Sequence, residues 1–138
     1  LNFKNLEITI DKTKIFFNDP LTEANTLYFR VKKTKKIIEL QKLIAKKLII
    51  YNKSMPVPKN ILSNKKLINS FKKFGYPYIG NHWIPHFTIA SIKSNKSSQF
   101  IKNFLNIKIN YTFNAAEIGC WKYERNIHKE IGNCFLNE

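Results

Sequence analysis

Leu6, Ile8 and Ile10 alternate with Glu7 and Thr9, which puts apolar side chains on one side of an extended chain and polar ones on the other. That period of two predicts a half-buried strand over residues 3–10. Residues 14–17, KIFF, predict a short second strand pairing back on it. A loop is expected over 18–25, because Asp19 and Pro20 start a turn and proline has no N–H for a ladder; TLYFRVK over 26–32 resumes a strand. From Thr34 the period lengthens. Ile37, Leu40, Leu43, Ile44 and Leu48 recur every three or four residues with lysines between them, predicting an amphipathic helix capped by Thr34 and running to about residue 51.

A proline-interrupted extended stretch is expected over 55–58, then a shorter helix over 64–74 carrying Leu67, Ile68, Phe71 and Phe74 and stopped by Gly75. Residues 76–83, YPYIGNHW, predict a loop, 84–92 a strand that Pro85 introduces, and 97–105 a brief helix. Strands are expected over 107–113, 116–123 and 127–136, the last two joined by a polar turn at 124–126. Helices and strands are mixed and strands often follow one another. The expected class is therefore α+β, a largely antiparallel sheet with flanking helices, in a single domain over residues 1–138 without repeats or linkers.

Composition narrows this picture. In 138 residues, 43% hydrophobic and 14% aromatic content supplies a core and argues against a disordered tail. No apolar run reaches the roughly 20 residues of a membrane-spanning helix, so no membrane partner is expected. The first residues lack the pattern of a secretory signal, and the opening at Leu1 reads as a processed or truncated end. Cys120 and Cys134 make no disulfide framework and, with three histidines, match no zinc spacing. Neither metal nor cofactor is expected, and a reducing cytoplasm fits best.

The 24 Lys and Arg against 9 Asp and Glu leave a net charge of +15, which resembles the footprint of a nucleic-acid binder. Nearly all of it is lysine, Arg30 and Arg125 being the only arginines. Lysine, isoleucine and asparagine share AT-rich codons, so genome composition is a second source of the charge. Either source favours an anionic substrate through long-range steering.

Candidate chemistry concentrates in WIPHFTIA, residues 83–90. Two apart on a strand, His86 and Thr88 share a face, while Phe87 and Ile89 are expected in the core behind them, on a central strand opening onto a concave surface. Imidazole suits proton transfer near neutral pH and the threonine hydroxyl can donate to a phosphate oxygen. Taken alone, one His-x-Thr pair is more often the ordinary polar face of an edge strand.

The segment WIPHFTIAS, however, resembles the second signature of the two-histidine (2H) phosphoesterase superfamily, which includes 2'-5' RNA ligase and RNA 2',3'-cyclic phosphodiesterase-like proteins. The resemblance is specific at residues 86–90 and extends by element order over nearly the whole chain: an amphipathic helix, an aromatic proline-containing loop, the His-x-Thr strand and two closing strands. It implies a bilobal fold and metal-free catalysis on an RNA or nucleotide phosphodiester, with one histidine as general base, a second as general acid and two threonines steadying the phosphate. His86 and Thr88 match one pair. The other pair has no counterpart here: Glu7 lies 79 residues before His86, but the strand around it more closely resembles the one that follows the first motif's helix. The chain is thus expected to begin downstream of the first motif, to expose an uncovered apolar face and to be catalytically poor by itself.

Around the motif, Tyr76, Tyr78 and Trp83 are candidates for stacking on a base or simply for packing. His82 is four residues upstream with Gly80 and Pro85 nearby, which makes it a loop residue more readily than a second catalytic histidine, although it remains a weak substrate-binding candidate. His128 reads as an exposed hairpin residue, and Lys35, Lys42, Lys46 and Lys47 as a solvated helix face. Two functions are compatible with these residues: an RNA or nucleotide phosphodiesterase of the 2H type, or a non-catalytic RNA- or nucleotide-binding domain retaining one His-x-Thr.

Overall fold

A computed structural model of the protein describes residues 6–19, 22–51, 56–124 and 127–136. The expected strand start at 3–5, Pro20, Met55, Arg125 and the tip of the last turn lie outside the described residues. The architecture is α+β and antiparallel, as the alternation of periods predicts.

β1, Leu6–Asp19, and β2, Ala24–Val31, form the long central hairpin. The two short strands expected at 3–10 and 14–17 are one continuous β1, because both segments pair with β2 across a bulge at Asp11: Ile10 faces Val31, and Lys12 faces Arg30. The extra residue of a bulge keeps pairing intact while bending the strand. β3, His86–Ile92, and β4, Tyr111–Ala115, complete a curled four-stranded sheet of order β3-β2-β1-β4. A separate hairpin, β5 Glu117–Glu124 and β6 Ile127–Phe135, closes the chain.

The helices follow their sequence signals closely. α1, Lys35–Leu48, starts where Thr34 accepts the Ile37 N–H, and a 3-10 turn, Ile49–Tyr51, continues it. α2, Lys65–Phe74, is capped by Asn64, whose side chain accepts from Lys66 and Leu67, and it ends at Gly75 with φ +72°, a left-handed conformation that glycine takes without a Cβ penalty. α3, Gln99–Asn106, is capped by Ser98 through the Ile101 N–H.

Leu6, Val31, Ile37, Leu40 and Leu136 form the main core, with Ile8, Ile44, Trp83, Ala115 and Ile118 packed against it. Through Leu136 and Ile118 the final hairpin is anchored to the same core as β1, β2 and α1. α3 covers another part of this apolar face, where Phe104 stacks on Phe29 and the Thr13 hydroxyl donates to the Leu105 carbonyl. No helix of the described residues is long and apolar enough to cross a membrane.

Candidate functional site

α1 and α3 pack on the face that carries Leu6, Ile10, Thr13, Leu27, Phe29 and Val31. The opposite face of the same strands holds the candidate chemistry. Directly paired residues of an antiparallel ladder share a face, so Lys12 of β1, Arg30 of β2 and His86 of β3 stand abreast as one rung, and Lys14, Tyr28 and Thr88 form the next. Adjacent strands are about 4.8 Å apart and successive rungs on one face about 6.8 Å. Two neighbouring rungs thus set three basic or imidazole groups beside a lysine and two hydroxyls.

His86 is exposed, yet its ring is held. Its edge meets the rings of Phe16, at 5.3 Å between centroids and 82° between planes, and Tyr28, at 5.1 Å and 62°. Phe16 and Tyr28 themselves stack at 4.1 Å. His86 Nδ1 lies 2.6 Å from the Ile84 carbonyl oxygen. A carbonyl can only accept, so Nδ1 carries the proton in this bond and Nε2 is the ring nitrogen left for another partner. Pro85 shapes this loop: its carbonyl accepts the Val31 N–H at 2.9 Å and so starts the β2–β3 ladder just ahead of His86.

Arg30 is fixed by a two-pronged bond to Asp11, Nε to Oδ1 at 2.9 Å and Nη2 to Oδ2 at 2.5 Å. The guanidinium hydrogen bond holds the Asp11 carboxyl below the usual carboxylate range and raises Arg30 in turn. Burial pushes the Tyr28 phenol up, so it stays protonated and able to donate. The Asp11 bulge turns the carboxylate towards Arg30.

Phe87 and Ile89 do lie off the His86 side, but neither is sealed in the core as expected: they are 44% and 49% exposed. The physical reason is that β3 is an outer strand of the described sheet rather than a central one, flanked by β2 on one side only among the described residues. Phe87 faces Phe29 and reaches Phe113 at 6.3 Å, while Ile89 sits at a bulge where Tyr28 pairs with Thr88 but Leu27 pairs with Ala90.

The weaker candidates separate. Trp83 is half-buried against the main core. Tyr76 and Tyr78 meet edge to face at 5.7 Å, and the backbone behind them is tied to α1 because Gln41 donates to the Tyr78 carbonyl and accepts the Gly80 N–H. His82 ends the 3-10 turn Gly80–His82, and among the described residues no hydrogen bond or ring contact joins it to His86. His128 lies on β6 opposite Tyr123, in the other sheet. Asp11, Lys12, Lys14, Tyr28 and Arg30 were not legible as site residues. Lys12 and Lys14 alternate, as do Tyr28 and Arg30, but only the register brings these pairs beside His86.

Among the described residues no three His, Cys, Asp or Glu side chains gather as a metal site. What the fold and site define is an antiparallel α+β domain with an open basic sheet face holding one exposed histidine and one threonine. No family model, curated protein or solved structure matches the chain.

Proposed function

We propose that this chain carries one half of the catalytic apparatus of an RNA or nucleotide phosphodiesterase similar to the 2H phosphoesterases, acting on 2',3'-cyclic phosphates or 2'-5' linkages. The observation that carries this reading is the His86 Nδ1 bond to the Ile84 carbonyl, which leaves Nε2 as the proton-transfer atom beside the Thr88 hydroxyl. In hydrolysis of a cyclic phosphate, a base takes a proton from water as its oxygen bonds to phosphorus. A ring P–O bond breaks, and an acid gives its proton to the departing oxygen. His86 serves as one of these two groups, and a second proton-transfer group is required to complete the cycle. Thr88 donates to a non-bridging oxygen, and the Arg30 N–H groups not taken by Asp11 add positive charge one strand away.

A non-catalytic nucleotide-binding domain is the second reading. It is favoured by the lack of contact between His82 and His86, since a lone imidazole can bind phosphate without turning it over. The deciding experiment is incubation of the full native protein and its His86→Ala variant with an RNA ending in a 2',3'-cyclic phosphate. Conversion to the monoester by the native protein and its loss in the variant supports the enzyme. Absence of conversion by the native protein, or equal conversion by both, overturns it.

A further inference from the structure

β4 pairs with β1 from Leu6 to Ile10, and among the described residues no strand pairs with the next stretch of β1 on that side. The end of α3 and the chain that follows it run alongside instead, the helix end pinned by the Thr13 bond to the Leu105 carbonyl. Between them lies an open groove of about 360 Å³, lined by Lys12, Lys14, Lys108, Leu105, Ile107 and Ile109 among others. That volume falls within the range of small-ligand sites.

Two features of this groove point to its ligand. Its lysines are continuous with the catalytic face: Lys12 and Lys14 belong both to the groove and to the rungs that end at His86 and Thr88. Asp11, the carboxylate that also lines it, is engaged by Arg30 and leaves the lysines as the dominant charge. Leu105 and Ile107, 42% and 50% exposed, add apolar wall able to take the flat face of a base. An anion with apolar, planar side groups, extended across the strands rather than along them, satisfies all of these.

We infer that the groove beside β1 is a subsite for single-stranded RNA, which crosses the sheet from β3 over β2 to β1. The terminal phosphate sits at His86 and Thr88, the following phosphates over Arg30, Lys12 and Lys14, and the next nucleotide lies between Lys108 and β1. Two strand spacings, about 10 Å, separate the terminal phosphate at β3 from the lysines of β1, so a mononucleotide at His86 does not fill the groove. The assignment of the terminal phosphate rests on the proposed phosphodiesterase reading, whereas the groove's affinity for RNA does not require cleavage.

The test measures binding by fluorescence anisotropy at several salt concentrations, using the full native protein, a six-nucleotide single-stranded RNA ending in a 2',3'-cyclic phosphate, the corresponding mononucleotide, and a duplex. Two triple variants are compared: Lys12→Ala/Lys14→Ala/Lys108→Ala, and Lys35→Ala/Lys46→Ala/Lys47→Ala, which removes the same charge from the exposed face of α1. The hexamer is expected to bind at least tenfold tighter than the mononucleotide. The groove variant should lose that preference and lower the salt slope by about 2, at about 0.7 per phosphate contact, while the helix variant keeps both. Equal weakening by the two variants, no preference for the longer RNA, or equally tight duplex binding overturns the inference. Length-dependent binding by a protein whose cleavage is absent or independent of His86 discards the catalytic reading and leaves the groove standing. His86-dependent cleavage with no length preference does the reverse.

Discussion

Arg30 stands directly across the β2–β3 ladder from His86, and both side chains leave the face of the sheet opposite the one on which α1 and α3 pack. Asp11 holds the guanidinium from the far side, and Phe16 and Tyr28 hold the imidazole. The guanidinium is thus oriented by a carboxylate and the imidazole by two rings and the Ile84 carbonyl, so Asp11 can be changed without removing a contact of His86.

His86→Ala in the full native protein should reduce cleavage of a 2',3'-cyclic phosphate by about 10² to 10⁴, the usual contribution of a general acid or base. Thr88→Ala should reduce it less, by about tenfold, because one hydrogen bond to phosphate is lost and no proton transfer. Steady-state kinetics on both variants check the order, and a larger loss for Thr88→Ala would refute the roles assigned.

Asp11→Asn should destabilise the protein by about 1 kcal/mol, the scale of a well-formed, partly exposed Arg–carboxylate bond. The Asp11 carboxyl titrates below its unfolded value in the folded state, so its contribution is complete above that value, 3.8, and is lost as pH falls through the lower folded value. Thermal melts of native protein and variant should differ at pH 6 and converge below pH 3. A gap that widens on acidification would contradict this linkage.

Asn64→Ala removes the acceptor for two N–H groups at the start of α2 and should cost about 1 kcal/mol. Gly75→Ala forces an L side chain into φ +72° at its end and should cost a similar amount. Urea unfolding of each single variant and of the pair tests these values. The effects should add, since the two caps share no partner.

Leu136 is fully buried, its N–H donating to the Ala116 carbonyl at 2.9 Å, so the end of the final hairpin is part of the core rather than an appendage. Leu136→Ala should cost about 2–5 kcal/mol by loss of burial and creation of a cavity. Denaturant unfolding followed by tryptophan fluorescence measures it. A change under 1 kcal/mol would mean that the hairpin does not dock on the core.

Most of the elements were legible in the residues because their signals are local. Thr34, Asn64 and Ser98 each offer a short side-chain oxygen at a helix start, Gly75 supplies the left-handed stop, and the three-to-four spacing of Ile37, Leu40 and Ile44 commits that stretch to a helix face. His86 and Thr88 sharing a face was equally local, being a consequence of strand alternation. The unity of β1 was hidden because Asp11 breaks the alternation, and a bulge is visible only in the pairing it interrupts.

What the sequence by itself determined, then, is the α+β class, the helix ends and the pairing of one imidazole with one hydroxyl, each a property of residues within a few positions of one another. Only the tertiary structure decided that β3 is an outer strand with Phe87 and Ile89 half exposed, and that Lys12, Arg30 and His86 form one rung although 74 residues separate the first from the last. Strand order and register are set by which apolar faces bury one another across the whole chain. No local pattern of Lys, Arg and His encodes that choice.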